Sequence, residues 1–304
     1  MNKSVLQTTS AMIANSLIGG HYRVIDVLGS GTYGDVYKVQ DITDGGRMKA
    51  VKTVKLDEGT EEEVMTEVNI LHKLDPVDGV VKVLDLFYLN EKLAIVQEIL
   101  LSDLHDLADA SMFSPALTAK TGMKLMQIIK AVHGFGILHR DIKMANIMVS
   151  GDFSNPQLKL IDFGMSFEFI KDGVRKETPK NDYEYAAVDY TSVRLANKKN
   201  AHEIDDVYMI GYAVMAMRYL QIFTGKTADQ KTEKKEDFHK EPWKYLTGKN
   251  RFLVGPWKVI ARQKDTKAPA YGSIIAAFKN AAKFDPKSPL KLVYNVDGKL
   301  CLSV

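Results

Sequence analysis

Chemically capable side chains concentrate between residues 136 and 166. The run GILHRDIKMANIMVSG sets Asp141 behind His139 and Arg140, with Lys143 two residues on and Asn146 five residues on. After a β-rich run, LKLIDFGMS supplies Asp162. Phosphoryl transfer needs such a set: a carboxylate to orient an attacking hydroxyl and take its proton, oxygen ligands for Mg2+, and cations to spread the charge developing on phosphate. On this chemistry Asp141 is the candidate base, Asn146 and Asp162 are the candidate metal ligands, and Lys143 and Lys52 are the candidate cations.

Three elements upstream have to position the rest. YRVIDVLGSGTYGDVYKVQD reads as two strands, 22–28 and 35–40, around a glycine-rich turn in which Gly29, Gly31 and Gly34 fit G-x-G-x-x-G. Glycines there let backbone N–H groups approach phosphate with no Cβ in the way, although a flexible hairpin tip would look the same. A dinucleotide-binding fold would place a helix after the glycines, whereas a strand follows here. In RMKAVKTVK, strand alternation puts Ala50, Lys52 and Val54 on one face. Residues 60–74 read as a helix whose buried stripe is Val64, Val68 and Leu71, opened by a capping box of Thr60 and Glu63. Glu67 lies beside that stripe and needs a partner, for which Lys52 is the natural candidate.

With these motifs in this order, the chain resembles the eukaryotic-type protein kinases over roughly residues 20–220: the three glycines, Val36, Ala50-Val51-Lys52, Glu67, His139-Arg140-Asp141, Lys143, Asn146 and Asp162-Phe163-Gly164. The resemblance implies an α+β, bilobal protein kinase fold. It has an N-terminal extension (1–20), an N-lobe (21–98) of antiparallel sheet plus one helix, and a mainly helical C-lobe (99–304) with an atypical C-terminal part, the kinase domain covering about 21–290. It implies ATP with Mg2+, or Mn2+ in its place, and transfer of the γ-phosphate to Ser or Thr of protein substrates by a monomer. Leu28, Gly29, Ser30, Gly31 and Gly34 would form the flap over the nucleotide, with Tyr33 at its tip. Val36 and Ala50 would roof the adenine and Met148 floor it. Gln97 would be the gatekeeper, and the backbone of Glu98 to Leu100 would bond the adenine edge. Asp206 would take the place of the buried aspartate that anchors the catalytic loop, the alternative being an acid that only meets the helix dipole. The alternative function is a catalytically weak pseudokinase acting as a nucleotide-binding scaffold.

Two features are similar to the casein kinase 1 and vaccinia-related kinase group: the hinge stretch QEILLSDLHDL, and DYTSVRLANKKNAHEIDDVYMIGYAVM in place of the usual Ala-Pro-Glu. The chain departs from that group as well. Ala186 and Ala187 replace a Gly-Thr whose threonine braces the catalytic aspartate, so that Thr191 becomes a possible substitute. Asp189 replaces an arginine, and His202, Glu203 and Ile204 replace a basic stretch. The expected preference is therefore for basic or neutral substrates. Residues 166–185 read as a hydrophilic activation loop in which Thr178, Tyr183 or Tyr185 could carry a phosphate paired with Arg140. The compact chain would suit a viral or bacterial effector.

The bulk properties exclude several classes. A net charge of +3, from 41 Lys+Arg and 38 Asp+Glu, is too mild to argue for nucleic acid or an anionic membrane. Cys301 is the only cysteine, which rules out an internal disulfide and multi-cysteine zinc sites and fits a reducing interior. No apolar run of about 18 residues is present and no signal peptide is read, so a cytoplasmic or nuclear location, or a host-cell interior, is expected. The charged run KTADQKTEKKEDFHK reads as a solvated helix face or loop, and LKLVYNVDGKLCLSV as a hairpin around Asp297-Gly298.

Overall fold

In the computed structural model, residues 16–31, 34–57, 59–151, 153–178, 189–265 and 267–304 are described. The chain divides into two compact units, one formed by residues up to Asp75 together with Val81–Leu100, the other by Pro76–Val80 and Leu101–Val304.

Among the described residues the first unit is a six-stranded antiparallel sheet with one helix. Its elements are β1 (Leu17–Ile18), β2 (Tyr22–Gly31), β3 (Gly34–Asp41), β4 (Met48–Lys55), α1 (Thr60–Lys73), β5 (Val83–Leu89) and β6 (Lys92–Glu98), with the strands ordered β1-β2-β3-β4-β6-β5. Period-two alternation gives the sheet two apolar faces. On one, Val24, Val39, Val51, Ala94 and Val96 pack with Tyr22. On the other, Val54, Leu93 and Ile95 pack with Val64 and Val68 of α1. Burying each such side chain contributes about 1.5–3 kcal/mol, and this second cluster fixes where α1 lies on the sheet.

The capping box expected at the start of α1 does not form. Gly59 occupies the N-cap in a left-handed conformation (φ 87°) with no side-chain cap, so Thr60 is already the first helical residue. The Thr60 amide turns back to the Asp57 carbonyl (3.1 Å).

The chain passes into the second unit through β7 (Leu100–Asp103), followed by α2 (Leu104–Ala110) and α3 (Pro115–Gly134). Ser114 caps α3 by accepting from the Leu117 N–H at 3.1 Å, with proline at the first helical position. Next come β8 (Ile137–Leu138), a 3-10 turn (Met144–Asn146), β9 (Ile147–Ser150), β10 (Leu158–Leu160) and the short strands β11 (Phe167–Glu168), β12 (Ile170–Lys171) and β13 (Val174–Arg175). The remaining helices are α4 (Val193–Ala196), α5 (Glu203–Ala216), α6 (Ala228–Lys240), α7 (Pro242–Tyr245), α8 (Val254–Ile260) and α9 (Tyr271–Lys279), with a 3-10 turn at Gly248–Leu253. Residues 76–80 group with this unit and not with the sheet that precedes them. The Leu160 N–H donates to the Gly79 carbonyl (2.8 Å), and Val80 bridges to Leu160.

Apolar on nearly all sides, α5 is buried from Glu203 to Met215. Gly211 lets Trp257 close on it, since a Cβ there would stand 2.8 Å from the indole. The C-terminal hairpin, β14 (Lys291–Tyr294) and β15 (Leu300–Ser303), forms where the sequence places it, with Gly298 at φ 73°. The segment before it is fastened to α3: the fully buried Lys120 ammonium donates to the carbonyls of Asp285 (3.1 Å) and Ser288 (2.5 Å) and to the Ser288 hydroxyl (2.7 Å).

Candidate active site

In the first unit the alternation of β4 decides the geometry. Lys52 shares the α1-facing side of the strand with Val54, and its ammonium meets Glu67 at 3.1 and 3.3 Å. Glu67 is buried, and the partner expected for it is the one it has. Lys52 stands opposite Val36 on β3 and Ile95 on β6, and Ala50 stands opposite Gln97. These registers bring the predicted Val36, Ala50, Lys52 and Gln97 onto adjoining strands. The Glu98 amide is committed to the Lys82 carbonyl (3.2 Å).

The glycine turn shows two distinct uses of glycine. Gly34 has φ 145°, and a Cβ there would lie 1.7 Å from the Thr53 carbonyl oxygen, so the close approach of β3 to β4 demands glycine. At Gly29 a Cβ would meet nothing within 4 Å; protein packing does not require glycine there, and the open space suits a ligand. Leu28, 49% exposed, sits at a register shift in the β2–β3 pairing. The Ser30 hydroxyl donates to Asp35 (2.7 Å), its cross-strand partner in the β2–β3 ladder. Tyr33 lies outside the described residues, and the side-chain surroundings of Gly31 are not described.

In the second unit, Asp141, Lys143 and Asn146 form one cluster. Lys143 Nζ donates to Asp141 Oδ2 at 2.7 Å, and Asn146 Nδ2 donates to the same oxygen and to the Asp141 carbonyl, both at 2.9 Å. Committing the amide nitrogen inward leaves Asn146 Oδ1 for a cation. The Ile161 N–H donates to the Asn146 carbonyl (3.0 Å), which brings the next residue, Asp162, beside this loop. Asp162 is exposed and held at φ 63°, a strained position for a non-glycine residue. A carboxylate and an amide oxygen, both hard donors, fit Mg2+ or Mn2+ by ligand type. Met148, half-buried on β9, pairs with Lys159.

The loop is braced from below. Asp206 on α5 accepts from the backbone N–H groups of His139 and Arg140 and from His133 Nε2, each at 2.8 Å. Burial alone would raise the Asp206 carboxyl, but the His133 bond and the nearby His139 outweigh it and hold the group below the usual range. Arg140 adopts φ 69° to present its amide, and its side chain turns to the Met165 carbonyl. The anchoring role expected of Asp206 is therefore built in geometry. His133 escaped sequence reading. It links Asp206 to the Tyr271 hydroxyl of α9, a contact between residues 138 positions apart with no local signal.

Residues 189–192 are gripped from several sides. The Tyr190 hydroxyl bonds the Met144 backbone, and burial raises its pKa. Lys231 pairs with Asp189 (2.7 Å), and Lys235, one helical turn on, donates to the Thr191 carbonyl (2.7 Å). Ser192 donates to Asp205 (2.6 Å) and caps α4 by accepting from the Leu195 N–H (3.1 Å). The run that reads as a solvated face is helical, but Lys235 is 1% exposed, with its ammonium 4.8 Å over the Tyr212 ring. Burial pushes Lys235 down to about 7, with Asp189 opposing. Thr178, a candidate phosphate carrier, is buried with its hydroxyl on the Ala201 carbonyl (3.3 Å). Tyr183, Tyr185, Ala186 and Ala187 lie outside the described residues.

Residues 22–268 match the protein kinase domain family. The chain belongs to that family. It is similar to a "Probable serine/threonine-protein kinase" of Dictyostelium discoideum, 29% identical over 224 residues that are 71% of this chain and 44% of the relative. It is also similar to cyclin-dependent kinase 20 of Danio rerio (30% identical; 51% of this chain, 45% of the relative) and to cell division control protein 2 homolog 3 of Trypanosoma brucei brucei (33%; 49% and 48%). The kinase-domain chain thus spans about half the length of these curated relatives. Among the described residues no helix is long and apolar enough to cross a membrane.

Proposed function

We propose that this chain is a serine/threonine protein kinase that moves the γ-phosphate of ATP to a protein hydroxyl, with Asp141 as the base. The observation that carries this reading is the Asp141–Lys143–Asn146 cluster on a loop whose backbone is tied to Asp206. Bound ATP with Mg2+ supplies the phosphoryl group. Asp141 Oδ2, already accepting from Lys143 and Asn146, is a fixed acceptor that orients a substrate hydroxyl and takes its proton. Lys143 Nζ, 2.7 Å from that oxygen, stands where it can also offset charge on the moving phosphate. Asn146 and Asp162 are the metal-holding pair. Lys52, aligned by Glu67, is the cation for the non-transferred phosphates, and Leu28, Gly29, Ser30, Gly31 and Gly34 are the flap residues for them. Val36, Ala50, Gln97, Glu98, Leu100 and Met148 are the adenine contacts.

The likeness of the hinge and of residues 189–212 to the casein kinase 1 and vaccinia-related kinase group extends the proposal. Asp189 in place of an arginine, and His202, Glu203 and Ile204 in place of a basic stretch, support a preference for basic or neutral substrates over acidic ones, and a peptide array returning acidic motifs would overturn that preference. The test of the activity itself is transfer from radiolabelled ATP to protein substrate. Asp141→Ala should lower kcat by about 10³-fold or more, and Lys52→Met should do likewise. Wild-type protein that binds ATP yet transfers nothing beyond the Asp141→Ala level would sink the reading.

A further inference from the structure

On the second unit, a cavity of about 460 Å³ is lined by Trp243, Leu246, Thr247, Gly248, Arg251, Val254 and Lys258. That volume lies in the range of ligand-binding pockets, roughly 300–1,000 Å³. None of these residues belongs to the set assigned to phosphoryl transfer.

The wall and the rim differ in chemistry. Leu246 is buried, Val254 half-buried, and Trp243 remains 46% exposed. Arg251, Lys258 and Thr247 are exposed polar groups. Among the described residues the Arg251 guanidinium and the Thr247 hydroxyl have no hydrogen-bond or ion-pair partner, and Lys258 engages only the Trp243 ring, 5.1 Å away. The surrounding sequence is one-sided: from Pro242 to Lys264 there are six Lys or Arg and no Asp or Glu, on a chain whose net charge is only +3.

We propose that this pocket docks an acidic protein segment that inserts one or two large apolar side chains. The apolar wall takes the anchor, as buried anchors do at interfaces. Arg251 and Lys258 pair with flanking carboxylates, which sets the sign of the partner and speeds encounter. Single-stranded nucleic acid would need an open aromatic face for base stacking, and the Lys258 ammonium covers one face of Trp243.

The test is fluorescence anisotropy with the full chain and a labelled eight-residue peptide, Phe-Leu between three acidic residues on each side. The peptide should bind saturably. Replacing Phe-Leu by Ser-Ser should weaken binding by about ten-fold or more. Arg251→Glu with Lys258→Glu should weaken it by at least about ten-fold, while Lys264→Glu, outside the pocket, changes it by less than about two-fold. The peptide comparison uses wild-type protein alone, so it decides even where a variant folds poorly. The proposal is overturned by absence of binding, by equal binding of the Ser-Ser peptide, by an unchanged affinity of the correctly folded double variant, or by tighter binding of an oligothymidine of equal charge. The readout is binding alone, so an inactive but peptide-binding protein would refute the kinase reading and leave the docking site standing.

Discussion

Asp205 and Asp206 are neighbours at the start of α5, yet they hold different things in different ways. Asp206 grips the loop that carries Asp141, through two backbone amides and a ring nitrogen at 2.8 Å. Asp205 grips the 189–192 stretch through the Ser192 hydroxyl, and also accepts from the His202 amide (2.8 Å). Burial pushes Asp205 up to about 6, opposed only in part by Ser192, Arg194 and His202, whereas the donors around Asp206 overcome the same burial and lower its carboxyl. The loop under Asp141 thus hangs on a charge fixed across the ordinary pH range. The 189–192 stretch hangs on groups, Asp205 and Lys235, that change charge near neutrality. In a low-dielectric interior, the hydrogen bonds and the charges that neighbours aim at a carboxylate together decide which outcome burial produces.

The contrast can be broken, most drastically at Asp206. Asp206→Ala leaves two buried N–H groups and a ring nitrogen unmatched and should cost about 3–5 kcal/mol in chemical denaturation, with loss of any phosphoryl transfer. A loss below about 1 kcal/mol would mean that the loop does not depend on this carboxylate. Ser192→Ala removes both the donor to Asp205 and the cap of α4, for about 1–2 kcal/mol by the same measurement. It should also drive the Asp205 titration further upward.

The pH profile sharpens the difference. Asp205 has a folded pKa above its unfolded value, so its contribution is full below about 4 and is lost as pH rises through about 6. Lys235 has a folded pKa below its unfolded value, so its contribution is full above the ordinary lysine range and is lost as pH falls through about 7. Stability against urea should therefore pass through a shallow minimum between about pH 6 and 7. Asp205→Asn should flatten its acid side and Lys235→Met its alkaline side. Asp206 moves the curve only in acid, since its contribution is lost as pH falls below the usual carboxylate range. The smallest effect belongs to Lys231→Ala. Its partner Asp189 is 68% exposed, so about 0.2–1 kcal/mol is expected, vanishing in high salt.

The residues that handle phosphate were legible because their types and spacing are local. Lys52 and Glu67 follow from strand alternation and a helical stripe, and Asp141 to Asn146 lie within six positions of one another. Asp206 was legible through its place before Gly211. What stayed hidden depends on contacts made only by folding. His133 reads as one more residue of an amphipathic helix until Asp206 and Tyr271 close on it. Lys235 lies in a run of charges, and nothing in KTEKKED marks the one lysine that turns inward over Tyr212. The α1 cap was misread because Thr60 and Glu63 have capping chemistry, while the left-handed turn at Gly59 takes the cap position from them.

The Lys120 staple bears on where this protein can be cut. The family match ends at residue 268, but the carbonyls that satisfy the buried ammonium belong to Asp285 and Ser288. A truncation at the family boundary would strand a cation inside α3 and strip the hairpin from the unit. The shortest fragment that keeps both the staple and the hairpin therefore runs to Ser303, about thirty-five residues beyond what homology alone would retain.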